Sequence, residues 1–260
     1  MIKLTVLHNE LPSFVNSLAG FSILVEAYGL RILYDTSIED QIIQNTKKAD
    51  IDVSNLDFVV LSHGHWDHTD GLKCLDYTRI KNLLAHPSCF EKKLDYKEGY
   101  SCGCEVPLEE LQEKTNVFLS KEPKWLMPGK IVFLGEIPRE NNFESQDAED
   151  STGTHKKDFV LDDSALVIKS ERGVVVISGC SHSGICNIIS YAERVTGEKV
   201  HAVLGGFHLF NDEVTDQTIR FFQQHNIEKI YPAHCLNDYA FSEFEKIAGI
   251  DVLARTSPPS

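Results

Sequence analysis

Apolar residues in the first third of the chain fall into short runs of strand length. "IKLTVLHN" and "FSILVEAYG" are rich in isoleucine, leucine and valine, and "LRILYDTS" repeats that character after a Tyr28-Gly29 turn. Residues 21 to 35 therefore predict a hairpin whose second strand ends at Asp35. In "SIEDQIIQNTKKADI", Ile38, Ile42 and Ile43 recur at helical spacing and predict a short helix. "LDFVVLSH" is a continuous apolar run, the pattern of a strand covered on both faces. It delivers His63 at its C-terminal end, where α/β folds place their sites.

The pattern changes between residues 73 and 158. "HPSCFEKKLDYKEGYSCGCEV" and "LEELQEKTNVFLS" lead to the polar run "RENNFESQDAEDSTGTHKKD", residues 139 to 158. That run predicts a long exposed loop, and the whole region predicts an insertion that caps a site. The strand pattern then returns. "SALVIKS", the turn "ERG" and "VVVISGCSHSG" predict a second hairpin. "ICNIISYAERVTG" predicts a helix stopped at Gly197. "KVHAVLGGFHL" predicts a strand and loop, and "TDQTIRFFQQHN" a helix capped by Thr215 or Asp216. "IEKIYPAHC" predicts a strand that ends in histidine. The second half thus repeats one unit: apolar strand, polar tip, helix.

Composition narrows the class. The chain has 260 residues, 42% of them hydrophobic and 25% charged, which suits one folded domain carrying an insertion. Its formal net charge of -14 opposes nucleic acid and acidic membranes as partners and leaves a small molecule as the expected one. An anionic substrate stays compatible with that charge, because bound cations would reverse the local field. The start has no basic stretch followed by a long apolar run, and no 18-residue apolar stretch follows, so a cytoplasmic protein is expected. Seven cysteines (Cys74, Cys89, Cys102, Cys104, Cys180, Cys186 and Cys235) make an odd count that argues against a disulfide framework.

The candidate chemistry sits at strand ends. "LSHGHWDHTDGL" holds His63, His65, Asp67 and His68. Residues two apart on an extended chain point the same way, so His63 and His65 can share one ion, while Asp67 and His68 in the turn can face a second. Imidazole and carboxylate suit zinc, manganese or iron, and Gly64 leaves room for close backbone approach. A lone histidine would read as a surface residue; three with an aspartate in six positions read as ligands. Further ligands should come from other strand ends: His182, then His234, then His208. His8, His86, His155, His201 and His225 lack that context and read as ordinary surface or core residues. Cys180 shares a strand face with His182 and is either a metal thiolate or a small buried hydrophobe. Asp35 either orients a metal-bound histidine or is a turn aspartate. Cys102-Gly103-Cys104 lacks the CxxC spacing of structural zinc sites and reads as a loop.

These residues resemble the metallo-β-lactamase superfamily. HxHxDH is intact as His63, His65, Asp67 and His68, Asp35 matches its strand-end aspartate, and His234 its final histidine. Within it, "LSHGHWDHTDGL", "GEIPR", "DDSALVI", "VVVISGCSHSGICNI", "GGFHL" and "PAHC" are similar to the family named for 7,8-dihydropterin-6-yl-methyl-4-(β-D-ribofuranosyl)aminobenzene 5′-phosphate synthase. The resemblance implies a four-layer αββα sandwich with two divalent metal ions at the sheet edge, zinc foremost, manganese or iron as alternatives. It implies one ion on His63, His65 and His182 and another on Asp67, His68 and His234. Asp67 would serve catalysis as well as metal binding, His208 would contact substrate or donate a proton, and Arg139 would meet a phosphate or be a plain surface arginine. Relatives usually bring a bridging aspartate where this chain has "SGC", so Cys180 stands in, or Asp162 or Asp163 does. Asp70 stands where relatives more often have glycine, which touches a turn and not the ligands. The implied activity is that of a metal-dependent hydrolase on a small anionic or phosphorylated substrate. The alternatives are a transferase joining a pterin to a ribosylated aminobenzene, a di-iron oxidoreductase or a non-catalytic binding module. His65 stands where the oxidoreductases carry a carboxylate, and the intact first motif opposes loss of metal.

Overall fold

The apolar runs of the first third become one mixed sheet. The computed structural model describes residues 1–10, 19–95, 97, 99–148, 150–152 and 156–247. β1 (Ile2–Glu10), β2 (Gly20–Ala27) and β3 (Leu30–Tyr34) form an antiparallel meander. Helix α1 (Gln41–Lys48) crosses to β4 (Phe58–Val60), which pairs parallel with β3. A parallel neighbour needs such a crossover. The one-turn α2 (Trp66–Thr69) carries the chain away from the end of β4, and β5 (Asn82–Ala85) pairs parallel with β4. β6 (Lys93–Asp95) lies outside this sheet. Helix α3 (Leu108–Lys114) then returns the chain to the sheet edge as β7 (Asn116–Leu119).

The second sheet begins with the hairpin of β8 (Lys124–Met127) and β9 (Ile131–Phe133). β10 (Asp150–Thr152) pairs with β11 (Lys157–Asp158) and with β6, making a small third sheet. β12 (Ala165–Ser170) and β13 (Gly173–Ser178) form the second main hairpin. After it come α4 (Ile185–Thr196), β14 (Val200–Gly206), α5 (Asp212–Gln224), β15 (Lys229–Ala233) and α6 (Asp238–Glu245). The two main sheets run in the orders β1-β2-β3-β4-β5-β7 and β15-β14-β13-β12-β9-β8. Among the described residues, no helix is long and apolar enough to cross a membrane.

Side-chain alternation builds the layers. On β2 and β3, Phe21, Ile23, Val25, Ile32 and Tyr34 face Phe133, Leu166, Ile168 and Ile177 of the other sheet. The intervening Leu24 and Leu33 turn outward, into the cluster that holds Ile42 of α1 and Leu111 of α3. On the far side, Val174, Val176 and Val203 pack with Ile185, Ile188 and Ile189 of α4, Phe222 of α5 and Phe244 of α6. The result is helix, sheet, sheet, helix, the expected αββα sandwich.

Three expectations change. The region 73–158 does not stand apart as a whole: β5 and β7 complete the first sheet, and β8 and β9 the second. Among its described strands only β6, β10 and β11 lie outside the sandwich. The polar run 139–158 is not simply an exposed loop. Glu144 is 3% exposed, and its carboxylate accepts the Cys186 N–H (3.0 Å) and the Asn187 N–H (3.2 Å) in the first turn of α4. Burial pushes its carboxyl up, against the pull of those donors. Residues 149 and 153–155 of that run, His155 among them, lie outside the described residues. The cap of α5 is neither Thr215 nor Asp216. Asn211 is extended and its Oδ1 accepts the Val214 N–H at 3.1 Å. Thr215 is buried inside the helix, and the Asp216 carboxylate accepts the Tyr239 hydroxyl at 2.9 Å. The helix begins ahead of its apolar pattern because Asp212 and Glu213 fill the first turn, where the helix dipole favours acids. Replacing Asn211 by Ala should lower the unfolding free energy by about 1 kcal/mol, measured by urea titration; no change would rule it out as the cap.

Candidate metal centre

Parallel strands end on the same side of a sheet, and here two sheets bring such ends together. β3 and β4 run parallel in the first sheet, and β13, β14 and β15 in the second. Their C-terminal tips carry Asp35, His63, Cys180 with His182, His208 and His234. Four of the tip residues have left-handed backbone: Asp35 (φ 56°), Ser181 (φ 64°), His208 (φ 50°) and His234 (φ 55°). Non-glycine residues adopt this conformation only when their surroundings hold them there. Asp35 N–H donates to Val60 O at 2.9 Å, and His234 N–H to Asn9 Oδ1 at 2.9 Å.

The donor atoms converge in overlapping groups. His63, His65 and His182 form one, and Asp67, His68 and His234 another; within each, the ligating atoms lie within 4.8 Å of one another. Cys180 joins His63 and His68 in a third group, and His234 and Cys235 in a fourth. Cys180 thus lies between the two outer groups. Neither Asp162 nor Asp163 belongs to any of them. Asp162 Oδ2 accepts the Gly64 N–H at 2.7 Å, and Asp163 Oδ2 accepts from both the backbone N–H (3.0 Å) and the hydroxyl of Ser183.

Outer hydrogen bonds decide which ring nitrogen faces inward. His68 Nδ1 lies 2.7 Å from Asp35 Oδ2, so its proton goes to the carboxylate and Nε2 faces the site. A carbonyl can only accept, so His234 Nδ1 donates to Glu10 O at 2.8 Å and its Nε2 also faces in. The Ser62 hydroxyl donates its one proton to Asp35 Oδ2 at 2.7 Å and therefore accepts from His63 Nδ1 at 2.8 Å. Asp35, fully buried and also accepting the Ser62 N–H at 2.7 Å, stands behind two of the histidines at once. The inward atoms then meet at short range: His68 Nε2 to His234 Nε2 is 3.2 Å, and His63 Nε2 to His65 Nδ1 is 3.0 Å. With their outer nitrogens protonated, His63, His68 and His234 turn lone pairs inward, and the His68–His234 pair repels unless a positive charge sits between them. This donor set fits divalent metal ions.

The electrostatics agree. Burial, then the neighbouring imidazoles of His68, His65 and His182, pushes His63 well below its ordinary value, into the neutral ligand form. Burial alone would raise the Asp67 carboxyl. The imidazoles of His68, His234 and His65 outweigh it and hold Asp67 far below the carboxylate range. Burial likewise lowers His234, but Asp67 Oδ2, 3.3 Å from His234 Nε2, overcomes this and raises it to about 9. Without a metal ion, a proton occupies the place a cation would take. Burial also pushes the Cys180 thiol up, so its thiolate requires a cation beside it.

A cavity of about 630 Å³ opens beside these groups, lined by His182, His208, Phe143, Gln146, Phe210 and Lys97 among others. The His208 ring, half-buried, lies 4.5 Å from that of His182 and 5.0 Å from that of Phe210. Arg139 does not line this cavity. Its Nε donates to Ser145 Oγ at 2.8 Å and its Nη2 to Phe159 O at 2.6 Å, bracing the wall from behind. Lys97, Phe143 and Phe210 carry no motif that marks them in the sequence. Cys102-Gly103-Cys104 serves as backbone: Cys102 O accepts the Trp66 N–H at 3.0 Å, and Gly103 bridges to His65. Among the described residues, no donor group includes Cys89, Cys102, Cys104, His8, His86, His201 or His225.

Comparison with known proteins adds four likenesses. The family model for the β-lactamase superfamily domain matches residues 30–120. An uncharacterized protein of Methanocaldococcus jannaschii is 31% identical over 267 residues, covering 96% of this chain and 100% of that one. From the same organism, a protein named 7,8-dihydropterin-6-methyl-4-(β-D-ribofuranosyl)-aminobenzene-5′-phosphate synthase is 34% identical over 237 residues, covering 83% of this chain and 79% of that one. A crystal structure described as a metal-dependent hydrolase of the β-lactamase superfamily superposes with a TM-score of 0.81 at 26% identity, covering 96% of this chain and 94% of that one.

Two expectations follow from the geometry. Asp35→Asn should weaken metal binding by about 10- to 100-fold, measured by chelator competition, because it loosens both His68 and Ser62; unchanged affinity would remove Asp35 from this role. In metal-free protein, His234 titrates at about 9 against 6.5 unfolded, so its stabilising contribution is complete below 6.5 and disappears as pH rises through about 9. The stability difference between metal-free wild type and His234→Gln should therefore shrink through that range, and a growing difference would reverse the assignment.

Proposed function

The chain belongs to the metallo-β-lactamase superfamily, and on that premise we propose that it is a hydrolase-type enzyme with two adjacent divalent ions, acting on a small anionic substrate. The observation that carries this reading is the convergence of the His63–His65–His182 and Asp67–His68–His234 groups around Cys180, the first of them reaching the wall of a cavity of about 630 Å³ through His182. We assign Cys180 as the thiolate between the two groups. Imidazole, carboxylate and thiolate together favour zinc, with manganese and iron behind it.

Bound ions would supply Lewis acidity toward water and toward a phosphoryl or carbonyl oxygen. The chain's own residues do the rest. Asp67 stays ionised across the neutral range, so it is a ligand and carries no proton to the reaction. His208 faces the cavity from beside His182, outside both ligand groups, and is placed to take or give a proton at its ring nitrogen. Lys97 offers a cation at the cavity wall for the substrate anion, and the rings of Phe143 and Phe210 give the wall its apolar part. The substrate is a small molecule, met in the cytoplasm; a net charge of -14 disfavours nucleic acid.

A second reading takes the 34% identical synthase as its guide. The chain would then assemble a pterin and a ribosylated aminobenzene phosphate. Phe143 and Phe210 suit flat rings and Lys97 suits the phosphate, so the same cavity serves both readings.

Purified protein should carry about two equivalents of metal by elemental analysis, and Asp67→Ala should lose one together with most turnover. His208→Asn should keep both equivalents and lower kcat by about 10²- to 10⁴-fold on a phosphoester or in the synthase assay. Full turnover in His208→Asn would take the proton from His208, and full loading in Asp67→Ala would sink the dinuclear assignment.

A further inference from the structure

A buried lysine stands behind the first metal group. Lys93 opens β6 and is 1% exposed. An ammonium is rarely so enclosed without partners that fix it. Its Nζ lies 2.9 Å from Asp158 Oδ2 and 2.7 Å from Asp162 Oδ1. Asp158 closes β11 in the same small sheet; Asp162 precedes β12 of the second main sheet. The other oxygen of Asp162 accepts the N–H of Gly64, the residue between His63 and His65. A backbone path runs alongside. Cys102 N–H donates to Lys93 O at 3.1 Å, and Trp66 N–H donates to Cys102 O at 3.0 Å.

Gly64 explains why that amide matters. A Cβ there would lie 2.1 Å from Cys89 O, so no side chain can anchor the segment. The hydrogen bond to Asp162 is what fixes the peptide plane that sets the directions of His63 and His65. Asp162 is fully buried close to where cations are expected, and an uncommitted carboxylate there would turn toward them. Lys93 engages one of its oxygens and Gly64 the other.

We propose that Lys93 is a positioning residue for the first metal ion: its ammonium pins Asp162 onto the Gly64 amide, which keeps Asp162 out of the ligand set and holds His63 and His65 on one side. The small sheet of β6, β10 and β11 is thereby part of the metal site's support. This inference rests on the two-ion reading above.

The test is chelator competition and the visible spectrum of the cobalt(II)-substituted protein, with His182→Ala marking the first ion. Lys93→Met and Asp162→Ala should weaken that ion about 10- to 100-fold and change its cobalt bands, leaving the second ion as in wild type. Asp158→Asn removes the other ion pair of Lys93 and leaves the Lys93–Asp162–Gly64 relay; it should bind both ions like wild type even with a lowered Tm. Should Lys93→Met not fold, Asp162→Ala, in which Lys93 keeps Asp158, carries the test. Unchanged affinity for both ions in Asp162→Ala, or equal weakening of both in step with lost Tm, overturns the role of Lys93 alone. A wild type that takes up no metal overturns this role and the proposed function together.

Discussion

The structure is organised around a repulsion. At one edge of the sandwich, the inward nitrogens of His68 and His234, each with its outer nitrogen engaged from behind, approach to 3.2 Å. An arrangement of that kind persists only if each ring is held from behind and a positive charge is supplied in front. The holding comes from three strands. β3 runs into Asp35, β4 runs into Ser62, and β1 ends in Glu10, whose carbonyl takes the outer proton of His234. The scaffold therefore takes the outer protons of His63, His68 and His234 and turns the other ring nitrogen of each toward the cluster.

Other features of the fold serve that edge. The inter-sheet core around Phe21, Ile23, Tyr34, Ile177 and Leu204 fixes the two sheets relative to each other, so that tips from both can share ligands. The left-handed turns at Asp35, Ser181, His208 and His234 aim side chains that a straight strand would send elsewhere. An acidic chain tolerates such a centre because the expected cations offset the local negative potential. Lys97 adds the nearby positive charge that an anionic substrate would meet on the cavity wall.

The region between the two halves of the sandwich has a double role. Part of it completes both main sheets. The rest forms the small sheet whose Lys93, through Asp162, reaches the backbone between His63 and His65. Glu144, from the same region, occupies the first turn of α4 and pins down the loop that carries Phe143 and Gln146 to the cavity. The histidine cluster and the cavity wall are thus braced by one stretch of chain through separate contacts.

What could be read from the sequence is what local spacing encodes. His63, His65, Asp67 and His68 are legible because a strand and a turn fix their relative directions within six residues. The strand-end positions of Asp35, His182 and His234 are legible because apolar runs stop just before them. The αββα layers are implied by the motifs' resemblance to the superfamily and are not readable from the runs alone. Tertiary structure alone decided how the donors are held and what surrounds them. A backbone acceptor such as Glu10 O has no sequence signature, and the Asn9 contact to His234 spans 225 residues. The polar run before β12 reads as a loop, since nothing local shows that Glu144 will be buried at a helix start. Lys93 reads as one surface lysine among many until the chain closes around it. Spacing determines which side chains can reach a point together; only the packed fold determines which atoms face it and what stands behind them.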